Sequence, residues 1–121
     1  MFRLVIIEES LKHVKTLELV KPYFFLQRIE NVLDDEYPIW HTIEYHVPDE
    51  KIEELLYVLK DEVKLTWYIH AFSDNQLFVI LQGKYFDISL KRDDTWVEMI
   101  EYGVKTANVK SYFLENVPLH V

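Results

Sequence analysis

One alternating segment and three apolar, β-rich segments predict four β-strands along the chain. In IWHTIEYHV, residues 39–47, successive side chains switch face, and Pro48 ends the run because proline cannot donate a hydrogen bond to a sheet ladder. Three other segments are apolar and rich in β-branched or aromatic residues: FRLVIIE, LTWYIHAF and QLFVILQ. The short polar stretch SDN separates the last two, which predicts a hairpin in which 66–72 pairs antiparallel with 76–82.

Helical spacing of apolar residues predicts two amphipathic helices. In DEKIEELLYVLKDEV the apolar residues recur on one face, which predicts a helix over 50–63. TWVEMIEYGVK predicts a second helix over 95–105, in which Thr95 and Glu98 fit a capping box. A shorter helix is expected near the N-terminus, with Ser10 as its cap.

The segment PYFFLQRIENV, residues 22–32, is ambiguous. Tyr23, Phe25 and Ile29 alternate as in a strand, but intervening apolar residues interrupt the alternation. Its aromatic content favours strand, and the helical alternative stays open.

The order of elements predicts a single α+β domain over 1–121. The predicted order is strand, short helix, strand, strand, helix, strand, strand and helix. This order is typical of a mainly antiparallel sheet with helices on one face, in a ferredoxin-like arrangement. The apolar C-terminal segment SYFLENVPLHV is expected to dock on this body.

Composition limits the classes of partner. The 121 residues are half hydrophobic, and 13 basic against 21 acidic residues give a net charge of −8. Such a surface repels phosphates, so neither nucleic acid nor an anionic membrane is an expected partner. The absence of cysteine excludes disulfides and thiolate sites. The apolar stretch LVII is too short for a signal-peptide core or a membrane span, so a cytoplasmic location is expected.

Several segments together resemble a set of short, uncharacterised prokaryotic proteins. The likeness covers TWYIHAF with its polar turn, LFVILQGKYFDIS and an acidic closing helix containing EYG. Those proteins share a Trp-Tyr strand, a Gly-Lys-x-Phe hairpin continuation and a similar helix. The resemblance implies a small α+β domain and brings no activity with it.

Strand parity selects candidate site residues. His41 and Glu44 point to opposite faces, so they form no compact motif, whereas Glu44 and His46 share a face. If the strand that contains His70 is a neighbour, these three side chains converge on the face away from the helices. Two imidazoles and a carboxylate suit a divalent metal, and no other cofactor is expected. The alternative is that they are solvated or paired across strands.

The same parity places aromatic side chains beside His70 on that outer face, and we expect them to form a binding surface: Trp40, Tyr68 and Phe72. Both alternating sets of side chains in the segment LFVIL are apolar, so the strand is expected to be buried on its two faces. Something must then cover the outer face as well. The C-terminal tail, a second subunit or a ligand would serve, and a homodimer through this face is our prediction.

Catalytic motifs are not evident. The serines lack a nucleophile-elbow context, and two glycines cannot build a phosphate-binding loop. The pairs Asp34–Asp35 and Asp93–Asp94 are typical of turns and helix caps, and His13 and His120 carry no signal. The sequence therefore predicts a self-associating binding or accessory module whose protein or small-molecule partner it does not identify. The alternative is a small metal-dependent or acid–base enzyme that uses Glu44, His46 and His70.

Overall fold

A computed structural model describes residues 1–33 and 35–119. In these residues six strands form one sheet in the order β2-β3-β1-β4-β5-β6, and every adjacent pair is antiparallel. The strands are β1 (Phe2–Ile7), β2 (Phe24–Asn31), β3 (Ile39–Val47), β4 (Ile69–Phe72), β5 (Leu77–Leu81) and β6 (Lys84–Ile88). The α-helices are α1 (Asp49–Leu59), α2 (Asp94–Lys105) and α3 (Ser111–Glu115). Short 3₁₀ helices lie at Glu8–Ser10, Val14–Leu19 and Lys21–Tyr23.

The predicted α+β class and the mainly antiparallel sheet are confirmed. The hairpin of β4 and β5 forms through SDN, with Phe72 opposite Leu77, but β4 begins at Ile69 and does not include residues 66–68 of the predicted strand. Most of the ambiguous segment 22–32 forms the strand β2, while its first two residues belong to the 3₁₀ helix Lys21–Tyr23. The ferredoxin-like arrangement is not confirmed, because β1 lies in the middle of the sheet between β3 and β4.

The structure differs from the prediction in having helices on both faces of the sheet. One core cluster joins α1 to Leu4 and Ile6 of β1, while another joins α2 and α3 to Val5 of the same strand. We call these the α1 face and the α2 face. The segment LFVIL is fully buried because its alternate residues contribute to both clusters.

The helix boundaries follow local chemistry more than the apolar pattern. Helix α1 ends at Leu59, before Val63, which pairs instead with Leu11 in an isolated β-bridge. Asp93 caps α2 by accepting a hydrogen bond from the Thr95 backbone N–H at 3.0 Å, so the predicted Thr95–Glu98 capping box is wrong.

The cap predicted at Ser10 does not form either. Ser10 lies inside a 3₁₀ turn, where its hydroxyl donates to the carbonyl of Ile7 at 2.6 Å. The hydroxyl therefore stabilises the turn that follows β1, and it does not begin the next helix.

The C-terminal segment docks on the α2 face, as expected. Leu114 and Val117 are buried there beside Trp96 and Met99 of α2. Gly103 permits this close approach, because a Cβ at that position would lie 2.2 Å from Cδ1 of Leu114. His120 and Asp34 lie outside the described residues.

None of the helices in 1–33 and 35–119 combines the length and the apolar character needed to cross a membrane.

Candidate functional site

The predicted site residues lie on the α2 face of the sheet. Val5 of β1 lies opposite Glu44 on one side and opposite His70 on the other. Arg3 is likewise opposite both His46 and Phe72. Because directly opposed residues share a face, these side chains emerge from one side of the sheet, as their parity predicted.

A carboxylate–imidazole pair lies at the centre of this site. Nε2 of His46 lies 2.5 Å from Oε2 of Glu44. Glu44 is only 4% exposed, whereas the His46 side chain is 29% exposed. The buried carboxylate therefore orients an imidazole whose other edge is accessible to solvent.

A β-bulge adds an aromatic residue to the pair. The register of β2 on β3 shifts between Phe24 and Leu26. Phe25 stacks on His46 with ring centroids 3.9 Å apart and planes inclined by 16°. Bulges redirect side chains in this way. The irregular alternation of residues 22–32 was the sequence signal for this bulge.

His70 lies apart from the Glu44–His46 pair. Two strand spacings separate it from Glu44, about 10 Å between backbones, and Val5 lies between them. Its ring stacks on Phe72 with centroids 5.7 Å apart. Burial lowers the pKa of His70 to about 4, although a hydrogen bond to the Pro118 backbone opposes this shift. Its Nε2 has no hydrogen-bond partner within the described residues.

The predicted aromatic surface is largely covered by the chain itself. Phe72 is 6% exposed, and Tyr68 packs in the same cluster as the C-terminal segment. Burial raises the pKa of the Tyr68 phenol to about 12. Trp40 lies further along β3, where its ring contacts Trp67 at 5.1 Å and its Nε1 donates to Asp35. Of the three covers that we considered for this face, the structure shows the tail, together with α2.

A different group of residues has metal-binding geometry. Ligand atoms of Glu8, Glu9 and His41 lie within 4.8 Å of one another, and in 1–33 and 35–119 no other such group of three was found. The Glu9 carboxylate is already engaged, because it accepts from the backbone N–H of His41 and lies 2.7 Å from Nδ1 of the same residue. This contact raises the pKa of His41. The structure thus does not bring Glu44, His46 and His70 together as a metal set.

The free edge of the sheet carries the feature that the sequence did not predict. Within residues 1–33 and 35–119, strand β2 is paired on one side only, and seven of its eight residues are exposed. Five large apolar side chains on β2 and its flanks are between 48% and 88% exposed, and we call them the edge patch: Phe24, Phe25, Ile29, Leu33 and Ile39. Such patches usually mark an interaction surface.

Comparisons with protein-family models, with curated proteins and with solved structures find no match. The resemblance to short prokaryotic proteins therefore stays a prediction.

Proposed function

We propose that the protein is a self-associating binding or accessory module, and that it binds a second copy of itself through β2. The observation that carries this proposal is the edge patch on an unpaired strand. An unpaired strand offers a row of free backbone donors and acceptors, which pair readily with another strand.

The two edges of the sheet differ in a way that favours β2. The opposite edge, β6, is shorter, and its apolar residues Phe86 and Ile88 are buried under α2. Its exposed positions carry the charges of Lys84 and Asp87. Charged side chains protect an edge strand against pairing, whereas β2 exposes aromatic and aliphatic side chains beside its charges.

This proposal moves the predicted interface away from the α2 face. A dimer through Phe72 would require the tail and α2 to leave that face, since both pack on it. The edge patch needs no such rearrangement, because its side chains are already in solvent. Closed two-fold dimers are the commonest form of self-association.

Light scattering and sedimentation velocity at tens of micromolar test this proposal. We expect a mass near twice the 14.7 kDa of the chain. Replacement of Ile29 with lysine should shift the mass to that of a monomer, because it puts a charge in the apolar contact. Val97→Lys is the matched control, since Val97 is 55% exposed on α2, away from the edge. A monomeric wild type, or an Ile29→Lys variant that dimerises as tightly as wild type, would contradict the proposal.

Acid–base chemistry at Glu44 and His46 is a second candidate function, and the buried carboxylate–imidazole pair favours it. A carboxylate that holds one imidazole nitrogen leaves the other free to exchange a proton with a bound substrate. The stacked ring of Phe25 beside His46 provides an apolar wall for a planar group.

Hydrolysis of an activated ester such as p-nitrophenyl acetate tests this chemistry. We expect His46→Ala to lower the protein-dependent rate at least about tenfold, and Glu44→Gln to lower it less, since general acid–base catalysis contributes roughly 10²–10⁴-fold. His13→Ala is the control, because His13 also contacts a glutamate, Glu62 at 3.1 Å, but is exposed. Equal rates for wild type and His46→Ala would eliminate this candidate.

A further inference from the structure

One hydrogen bond just beyond the end of β2 shows which of its backbone groups point toward β3 and which point to the open edge. The backbone N–H of Val32 donates to the carbonyl of Pro38 at 2.8 Å, which continues the register that pairs Asn31 with Ile39. In an antiparallel ladder, backbone groups point alternately toward and away from the neighbouring strand. The N–H and C=O groups of Gln27, Ile29 and Asn31 therefore point to the open edge.

Two copies of β2 are complementary when they run antiparallel with Ile29 of one copy opposite Ile29 of the other. We call this arrangement reversal about Ile29. Arg28 then lies opposite Glu30 of a second copy, and Gln27 lies opposite Asn31. Both charged side chains are accessible, at 42% and 45%, and within one chain Nη2 of Arg28 lies 3.9 Å from Oε1 of Glu30, a long contact that a closer partner can replace. The exposed Leu33 of one copy also comes beside Phe25 of the other, so the ends of the paired segment are apolar.

Other registers fit less well. Reversal about Arg28 or about Glu30 places identical charges opposite each other, which is unfavourable. Reversal about Gln27 puts Leu26 opposite Arg28 and extends the pairing into the bulge between Phe24 and Leu26. Reversal about Ile29 places its backbone hydrogen bonds at Gln27, Ile29 and Asn31, in the regular part of the strand, and only the side-chain contact of Phe25 involves the bulge.

We propose that β2 pairs antiparallel with β2 of a second copy about a two-fold axis at Ile29. The two sheets then join into one continuous sheet, with about six backbone hydrogen bonds and two reciprocal ion pairs between Arg28 and the partner's Glu30. This inference rests on the proposed self-association and specifies its partner, register and charge pattern.

Charge reversal provides a test of this register. Arg28→Glu and Glu30→Arg each place like charges across the axis, and we expect each variant alone to dimerise about tenfold more weakly than wild type. The double variant restores opposite charges and should dimerise like wild type. A mixture of the two single variants should form mainly heterodimers, because both cross-strand pairs are then oppositely charged. Native mass spectrometry separates these species by mass.

Lys84→Glu and Asp87→Lys, at the other sheet edge, are the matched controls for charge reversal. Both side chains are exposed on β6, so their mixture should show no preference for heterodimers. If Arg28→Glu and Glu30→Arg form homodimers and heterodimers in random proportion, the proposed register is wrong. A monomeric wild type would overturn the proposed function itself, so the two failures are distinguishable.

Cysteine cross-linking tests the same register without changing charge. The chain has no cysteine, so a single introduced thiol bridges only to its copy. Cα atoms of a hydrogen-bonded antiparallel pair lie about 5.5 Å apart, which is within disulfide range. Ile29→Cys should therefore form a covalent dimer under mild oxidation, whereas Gln27→Cys should not, since its own copy lies about 14 Å away along the strands. Efficient cross-linking of Gln27→Cys alone would overturn the register.

Discussion

Replacement of His70 with glutamine is expected to remove about 2–3 kcal/mol of acid-induced destabilisation between pH 7.5 and pH 4.5. His70 is 6% exposed, and burial lowers its pKa to about 4 in the folded state, against an ordinary value of 6.5. The unfolded chain therefore takes up a proton at His70 as the pH falls below about 6.5, while the folded chain stays neutral there. Each pH unit in this window costs up to about 1.4 kcal/mol of stability.

The direction of this effect fixes its pH window. Because the pKa of His70 is lower in the folded than in the unfolded chain, it does not affect the free energy of unfolding at pH values above the unfolded pKa. The loss of stability grows as the pH falls from the unfolded pKa toward the folded pKa. Urea unfolding of wild type and His70→Gln at several pH values measures it as a difference in slope. Glutamine keeps a polar, neutral side chain at the position. Titration of the other histidines is common to both proteins and cancels in the comparison.

A residue without a titratable group provides the control for this measurement. Val97→Gln should leave the pH slope of stability close to that of wild type, because Val97 is 55% exposed on α2 and takes up no proton. Parallel slopes for wild type and His70→Gln would contradict the expectation, and would mean that His70 is protonated in the folded protein at pH 4.5.

Truncation of Leu114 to alanine is expected to lower the free energy of unfolding by about 2–5 kcal/mol. Leu114 is fully buried between α2 and the sheet, with Gly103 and Leu81 beside it. The loss of its side chain leaves a cavity where the C-terminal segment meets the body, and Gly103 has no side chain that could fill the space.

The neighbouring residue makes a matched control in the same short helix. Phe113 is 46% exposed, so Phe113→Ala removes a larger side chain but should cost less than about 1 kcal/mol. Chemical denaturation of both variants gives the comparison. Similar losses for the two variants would mean that docking of the tail does not depend on Leu114.

Periodicity predicted most of the secondary structure, because most segments carried one clear period; residues 22–32 were the exception, since apolar residues interrupt their alternation. The β4–β5 hairpin and helices α1 and α2 all formed, but α1 ends four residues before its predicted limit and β4 begins three residues after its predicted start. The face covered by each helix was not predictable from pattern, since it depends on the direction in which the chain leaves each strand. LFVIL held the relevant signal, because a strand that is apolar in both parities needs a cover on each side.

The sequence predicted which face of the sheet carries the candidate site, but it did not predict how far apart the site residues lie. Parity placed Glu44, His46 and His70 on one face correctly. Their separation depended on strand order, and β1 enters the sheet between the strands that carry them. A pattern within one strand contains no information about such a neighbour. The stacking of Phe25 on His46 depends on a bulge, which adds one residue and breaks the period that the prediction uses.

The central place of β1 has a consequence for the way the chain assembles. The partners of β1 lie about 40 and about 65 residues further along the chain, in β3 and β4. Closing such long loops costs conformational entropy before any contact compensates, which slows folding. The hairpin of β2 and β3 and the meander of β4, β5 and β6 are local, so each can form early. We expect them to join only when β1 inserts between them, and until then the edges of β3 and β4 that β1 covers in the folded protein are open to other chains.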